Sequence, residues 1–104
     1  LIGVRSAIGR DCKLTDTVML GSDRFETPAE RAANRAAGLP DLNIGDGTEI
    51  VQAILDKDCR IGKKVRLLNE AKKETADGPG GNWYIRDGII CVPRGAVIAD
   101  GTVV

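Results

Sequence analysis

The chain has 104 residues, with fifteen basic and fifteen acidic side chains, a formal charge of zero and no histidine. Balanced charge without a long run of either sign removes the electrostatic case for a nucleic-acid or membrane-surface binder. No stretch approaches the roughly 20 apolar residues of a membrane helix, so a soluble chain with neither nucleic acid nor membrane as partner is expected. The missing histidines exclude imidazole metal sites, His general bases and Ser-His or Cys-His nucleophile pairs.

One domain fits this length, with a core that must be simple or repetitive. Cys12, Cys59 and Cys91 are odd in number and lack C-x-x-C spacing, which predicts three reduced thiols used for packing and no metal site. Leu1 opens in the middle of an apolar pattern without an initiator Met, so the sequence reads as a piece of a longer protein.

In chain order, steps of six from Ile2 reach Ile8, Leu14 and Leu20. The repeat stops between 22 and 43, where Thr27-Pro28-Ala29-Glu30 forms a capping box with Pro at the first helical position and Gly38 ends the run. A short protruding helix is predicted at about 28–37. The repeat resumes at Ile44 and Ile50, then Leu55, Ile61 and Leu67. A polar stretch at 69–82, containing Asp77-Gly78-Pro79-Gly80-Gly81, reads as a loop. Trp83-Tyr84-Ile85 returns the chain to β, and Val92, Ile98 and Val104 complete the series.

Glycine follows the aliphatic residue at Gly3, Gly9, Gly21, Gly45 and Gly62, and small or β-branched residues follow it by four at Ser6, Cys12, Val18, Thr48, Cys59, Val65, Ala96 and Thr102. This hexapeptide repeat predicts an all-β fold, a parallel β-helix in which one coil cannot bury its apolar edge until the next stacks on it. Ile8, Leu14, Ile61, Val92 and Ile98 are expected inside, and the glycines are expected at corners, supplying backbone angles closed to other residues. The step from Ile50 to Leu55 is five residues, so one coil must absorb a slip whose place the pattern does not reveal.

Specific words carry a resemblance. Gly3-Val4-Arg5-Ser6, Asp16-Thr17-Val18-Met19-Leu20-Gly21-Ser22-Asp23, Phe25-Glu26-Thr27, Asp56-Lys57-Asp58-Cys59-Arg60-Ile61-Gly62 and Trp83-Tyr84-Ile85-Arg86-Asp87-Gly88-Ile89 are similar, in order and spacing across the whole chain, to the C-terminal region of ADP-glucose pyrophosphorylases. The GVRS, DTVMLG and YIR variants resemble the large, mainly regulatory subunit of the plant or algal enzyme. The resemblance implies a left-handed winding over residues 1–104, and an N-terminal nucleotidyltransferase domain outside this chain. That domain would join ATP and glucose 1-phosphate, with Mg²⁺, to give ADP-glucose and pyrophosphate for starch or glycogen synthesis.

It further implies that this domain helps assemble a tetramer and carries part of a site for a phosphorylated activator such as 3-phosphoglycerate, with inorganic phosphate as inhibitor. The expected location is the plastid stroma for a plant or algal source and the cytoplasm for a bacterial one. No residue of the chain is expected to be catalytic, and no cofactor is expected in this domain. Lys57 and Arg94 fall where the family carries two activator-binding lysines, with Arg in place of the second. Each follows a repeat aliphatic, Leu55 or Val92, by two residues, so both should project outward from equivalent corners, where cations can grip phosphate. Arg31 matches a basic word of the insertion, although the family's neighbouring activator lysine aligns with Ala32. Arg86 is a further candidate. Lacking histidine, the chain fits neither a hexapeptide acyltransferase nor a γ-class carbonic anhydrase. The alternative is an assembly module of a related sugar-nucleotide pyrophosphorylase that binds no effector.

Overall fold

The computed structural model describes residues 2–104 apart from 4, 24 and 25. Its strands are β1 (Lys13–Met19), β2 (Asn43–Ile44), β3 (Glu49–Leu55), β4 (Arg60–Ile61), β5 (Arg66–Leu67), β6 (Thr75–Asp77), β7 (Tyr84–Arg86), β8 (Ile89–Val92) and β9 (Val97–Ile98), with one helix, α1 (Pro28–Ala36).

Parallel pairing stacks the aliphatic positions into three columns. Ile2, Met19, Leu55 and Val92 lie one above another on the first face. Ile8, Ile44, Ile61 and Ile98 do so on the second, and Leu14, Ile50 and Leu67 on the third. This is a three-sided parallel β-helix. Met19, Ile50, Leu55, Ile61 and Leu67 are wholly buried, with Val92 and Ile98 almost so. Each such side chain contributes roughly 1.5–3 kcal/mol by leaving water.

The five-residue step belongs to two coils. Leu14 pairs with Ile50 and Met19 with Leu55, so Met19, not Leu20, continues the column, and Leu20 is 41% exposed. The shortened corner falls at Asp16 and Gln52, whose φ angles of 48° and 55° are left-handed, and which interrupt the strand pairing between Thr15–Val51 and Thr17–Ala53. The expectation for Ile8 fails as well. In the first coil it pairs with Ile44 and stays 42% exposed, while Leu14 is half-buried.

The glycines also act differently from expectation. The corners are turned by left-handed residues elsewhere, among them Asp11, Asp58, Lys64, Gly47, Gly95 and Gly101. Of the glycines that follow an aliphatic, only Gly21 has a positive φ, 85°. The others are needed because neighbouring coils touch there: a Cβ on Gly45 would stand 2.6 Å from Gly62 backbone atoms, and one on Gly62 would stand 2.6 Å from the Asp100 nitrogen.

Of the small or β-branched positions, Thr48, Cys59, Val65 and Ala96 are buried, while Ser6, Cys12, Val18 and Thr102 are partly exposed. Thr48 Oγ1 donates to the Gly62 carbonyl at 3.0 Å and accepts from the Val65 N–H at 3.3 Å, so its burial leaves no orphan. All three cysteines are free. Burial pushes the Cys59 thiol up to about 12, which leaves it a packing group at neutral pH.

The helix starts at its capping box, with Thr27 Oγ1 accepting from the Glu30 N–H at 3.2 Å and Glu30 Oε1 accepting from the Thr27 N–H at 3.4 Å. It ends before Gly38, at φ 77°. No residue of α1 is buried. The stretch at 69–82 departs from a plain loop: it contains β6, which pairs antiparallel with β7, which in turn pairs antiparallel with β8. Two antiparallel strands therefore extend the first face beyond its last parallel coil, covering an edge that would otherwise present unpaired backbone groups.

Candidate anion-binding site

Leu55 and Val92 are register partners, so Lys57 and Arg94, two residues beyond each, turn outward from the same corner of successive coils. The Gly95 N–H donates to the Lys57 carbonyl at 3.1 Å, and the Asp58 N–H to the carbonyl of Gly21 at 3.0 Å, which ties this corner to the coil above. From that coil comes Asp23. Its Oδ1 lies 3.3 Å from Lys57 Nζ, while its Oδ2 accepts a hydrogen bond from Arg94 Nη2. One carboxylate thus bridges the two cations.

A second carboxylate stands behind it. Asp58 Oδ2 lies 3.6 Å from Arg94 Nη2, and Asp58 Oδ1 accepts the Asp23 N–H at 3.0 Å, fixing the backbone from which the bridging side chain springs. The Lys57 hydrogen bond, with the Lys57 and Arg94 charges, holds the Asp23 carboxyl below the usual carboxylate range, so it is ionised at neutral pH. All three side chains of the bridge are accessible, Lys57 at 47%, Arg94 at 62% and Asp23 at 45%. The bridge therefore lies open to solvent.

The other two sequence candidates lie elsewhere. Arg31, exposed on α1, lines a cleft of about 260 Å³ together with Arg5, Arg35, Asp41 and Lys63. Arg35 is neutralised there by Asp41 at 2.8 Å. Arg86 pairs with Asp77 at 2.8 Å and lies over the Tyr84 ring, 5.1 Å from its centroid, binding the β6–β7 hairpin to itself. Only Lys57 and Arg94 are brought together.

Two structural residues escaped the sequence reading. Asp23 closes the DTVMLGSD word, but nothing in a linear pattern places it against a corner 34 residues later. Glu26 is the other. Buried at the root of the insertion, its Oε1 accepts the Leu42 N–H at 2.6 Å, and its Oε2 accepts from Asn34 Nδ2 at 2.6 Å and Arg60 Nη1 at 3.0 Å. Arg60 Nη1 also donates to the Pro40 carbonyl at 2.9 Å. This carboxylate pins both ends of the α1 insertion to the second face. Burial pushes its pKa up, but the Leu42 N–H and Arg60 outweigh it and leave the carboxyl below its ordinary range.

A family model described as the GLGC left-handed parallel beta-helix domain matches residues 1–103. The chain belongs to this family. It is a GLGC β-helix domain, and so part of a glucose-1-phosphate adenylyltransferase. The family supplies the hand of the coil, left, which runs against the right-handed rule for most crossovers between parallel strands. Among the described residues of this GLGC domain no three His, Cys, Asp or Glu side chains gather as a metal site would require.

Proposed function

We propose that this GLGC domain is the regulatory and assembly part of its enzyme, and that Lys57 and Arg94 supply cations to a phosphate site for an activator resembling 3-phosphoglycerate. The observation that carries the reading is the single Asp23 carboxylate held by both cations. Two cations spaced to take the two oxygens of one carboxylate are spaced to take two oxygens of a phosphate, and charge-assisted bonds of this kind are the strong ones. The N-terminal catalytic domain of the same protein completes the site. That domain also binds ATP, glucose 1-phosphate and Mg²⁺. The words similar to those of large subunits of the plant and algal enzyme favour a plastid heterotetramer as the setting of this reading, with inorganic phosphate opposing the activator.

Lys57→Ala or Arg94→Ala in the assembled enzyme raises the activator concentration for half-stimulation roughly five- to 150-fold, the usual range of allosteric coupling. Unchanged activation in both variants would reduce the two residues to solvated corners and leave a domain that assembles without sensing.

The assembly role has its own support. On the outside of the first face, Val18, Ile54 and Cys91 stack in register, Ile54 is 42% exposed, and Tyr84 stands opposite Cys91 on the next strand. Apolar side chains pointing outward from a sheet favour burial against another subunit. Ile54→Lys is expected to weaken the tetramer in sedimentation velocity, and an unaltered tetramer would place the contact elsewhere.

A further inference from the structure

We infer that Asp23 is a built-in competitor for this anion site, so that an incoming phosphate binds by exchanging places with its carboxylate. The inference rests on the reading of Lys57 and Arg94 as phosphate-binding cations, and goes beyond it by naming the group that sets their affinity.

The Asp23 carboxylate already makes the contacts a phosphate would make, one oxygen to Lys57 and the other to Arg94. Both cannot hold the same donors. The local charge leads to the same conclusion. Asp56 accepts the Lys57 N–H at 2.7 Å, and Asp58 reaches both Arg94 and the Asp23 backbone. With Asp23 in place, the three carboxylates outnumber the two cations, and a phosphate approaching the corner meets net repulsion. With Asp23 swung away, charges balance among the remaining four groups, and both cations present free donors.

The Asp23 backbone has its own anchor: its N–H donates to Asp58 Oδ1 at 3.0 Å, a bond that does not depend on the ion pairs of its carboxylate. The Asp23 side chain is 45% exposed. Exposed ion pairs are individually weak and break readily, which suits a gate and does not suit a structural tie. The α1 insertion that follows is pinned independently through Glu26 and Arg60, so releasing Asp23 does not release the insertion.

The test measures inorganic phosphate binding to the assembled enzyme by titration calorimetry, comparing wild type with Asp23→Asn, Asp23→Ser, Lys57→Gln, Arg94→Gln and Asp23→Asn combined with Lys57→Gln. The expected result is phosphate binding tightened roughly two- to tenfold by either Asp23 change, the scale set by losing one or two exposed ion pairs, with the gain abolished when Lys57 is also changed. If Lys57→Gln or Arg94→Gln weakens phosphate binding while both Asp23 variants leave it unchanged or weaker, the anion site stands and Asp23 merely orients its cations, which overturns this inference alone. If neither Lys57→Gln nor Arg94→Gln alters phosphate binding, the anion site falls and the gate with it.

Discussion

Gly45 sits directly against Gly62 in the next coil, so close that a Cβ on Gly45 would lie 2.6 Å from both the carbonyl carbon and the oxygen of Gly62. Neither atom is the end of a flexible side chain; both are backbone held in a stacked coil. Gly45→Ala must therefore push two coils apart, and is expected to destabilise the domain by about 2–3 kcal/mol, as overpacking does. Gly95→Ala provides the contrast. Nothing lies within 4 Å of its Cβ, and only its φ of 71° resists substitution, at a cost of roughly 1–2 kcal/mol. Denaturant midpoints for the two variants check the order; a larger loss at Gly95 would mean that corner angles, and not stacking, govern these glycines.

Ile61 and Ile8 occupy the same column with opposite exposure, 0% and 42%. Ile61→Asp buries an unpaired carboxylate between coils and is expected to cost more than about 4 kcal/mol. Ile8→Asp leaves its carboxylate in water and is expected to cost within about 1 kcal/mol. Thermal unfolding of both variants measures the difference, and equal losses would contradict the exposure of the first coil.

The Glu26 carboxyl ionises more readily in the folded protein than its ordinary value of 4.5. A depressed folded pKa gives stability that is present above the unfolded value and lost as pH falls through the folded one. The α1 insertion should therefore loosen on acidification below about pH 4.5, and the exchange protection of the Leu42 N–H, which Glu26 accepts, measured against its intrinsic rate at each pH, should fall over the same interval. Glu26→Gln removes that dependence and leaves Arg60 short of its buried partner, a loss of roughly 3 kcal/mol at pH 7. A Leu42 protection factor independent of pH in the wild type would contradict the role given to Glu26.

The repeat was legible because burial in a stacked coil demands aliphatics at fixed steps, and Ile44, Ile50, Ile61 and Ile98 show it without ambiguity. The slip was not, because Met19 and Leu20 are adjacent apolar residues and only stacking on Leu55 selects the first. The composition of 69–82 concealed β6, whose pairing comes from β7 and not from its own side chains. Lys57 and Arg94 could be aligned because they share a corner of the repeat. Asp23 could not, since it reaches them from a loop outside the period, and ion pairs across coils leave no mark on the order of residues along the chain.

The most direct test of the central claim is a structure of the assembled enzyme at saturating 3-phosphoglycerate. Phosphate density is expected between Lys57 and Arg94, with oxygens within hydrogen-bond distance of both side chains. A structure with the activator bound elsewhere and the Lys57–Asp23–Arg94 bridge intact would contradict it.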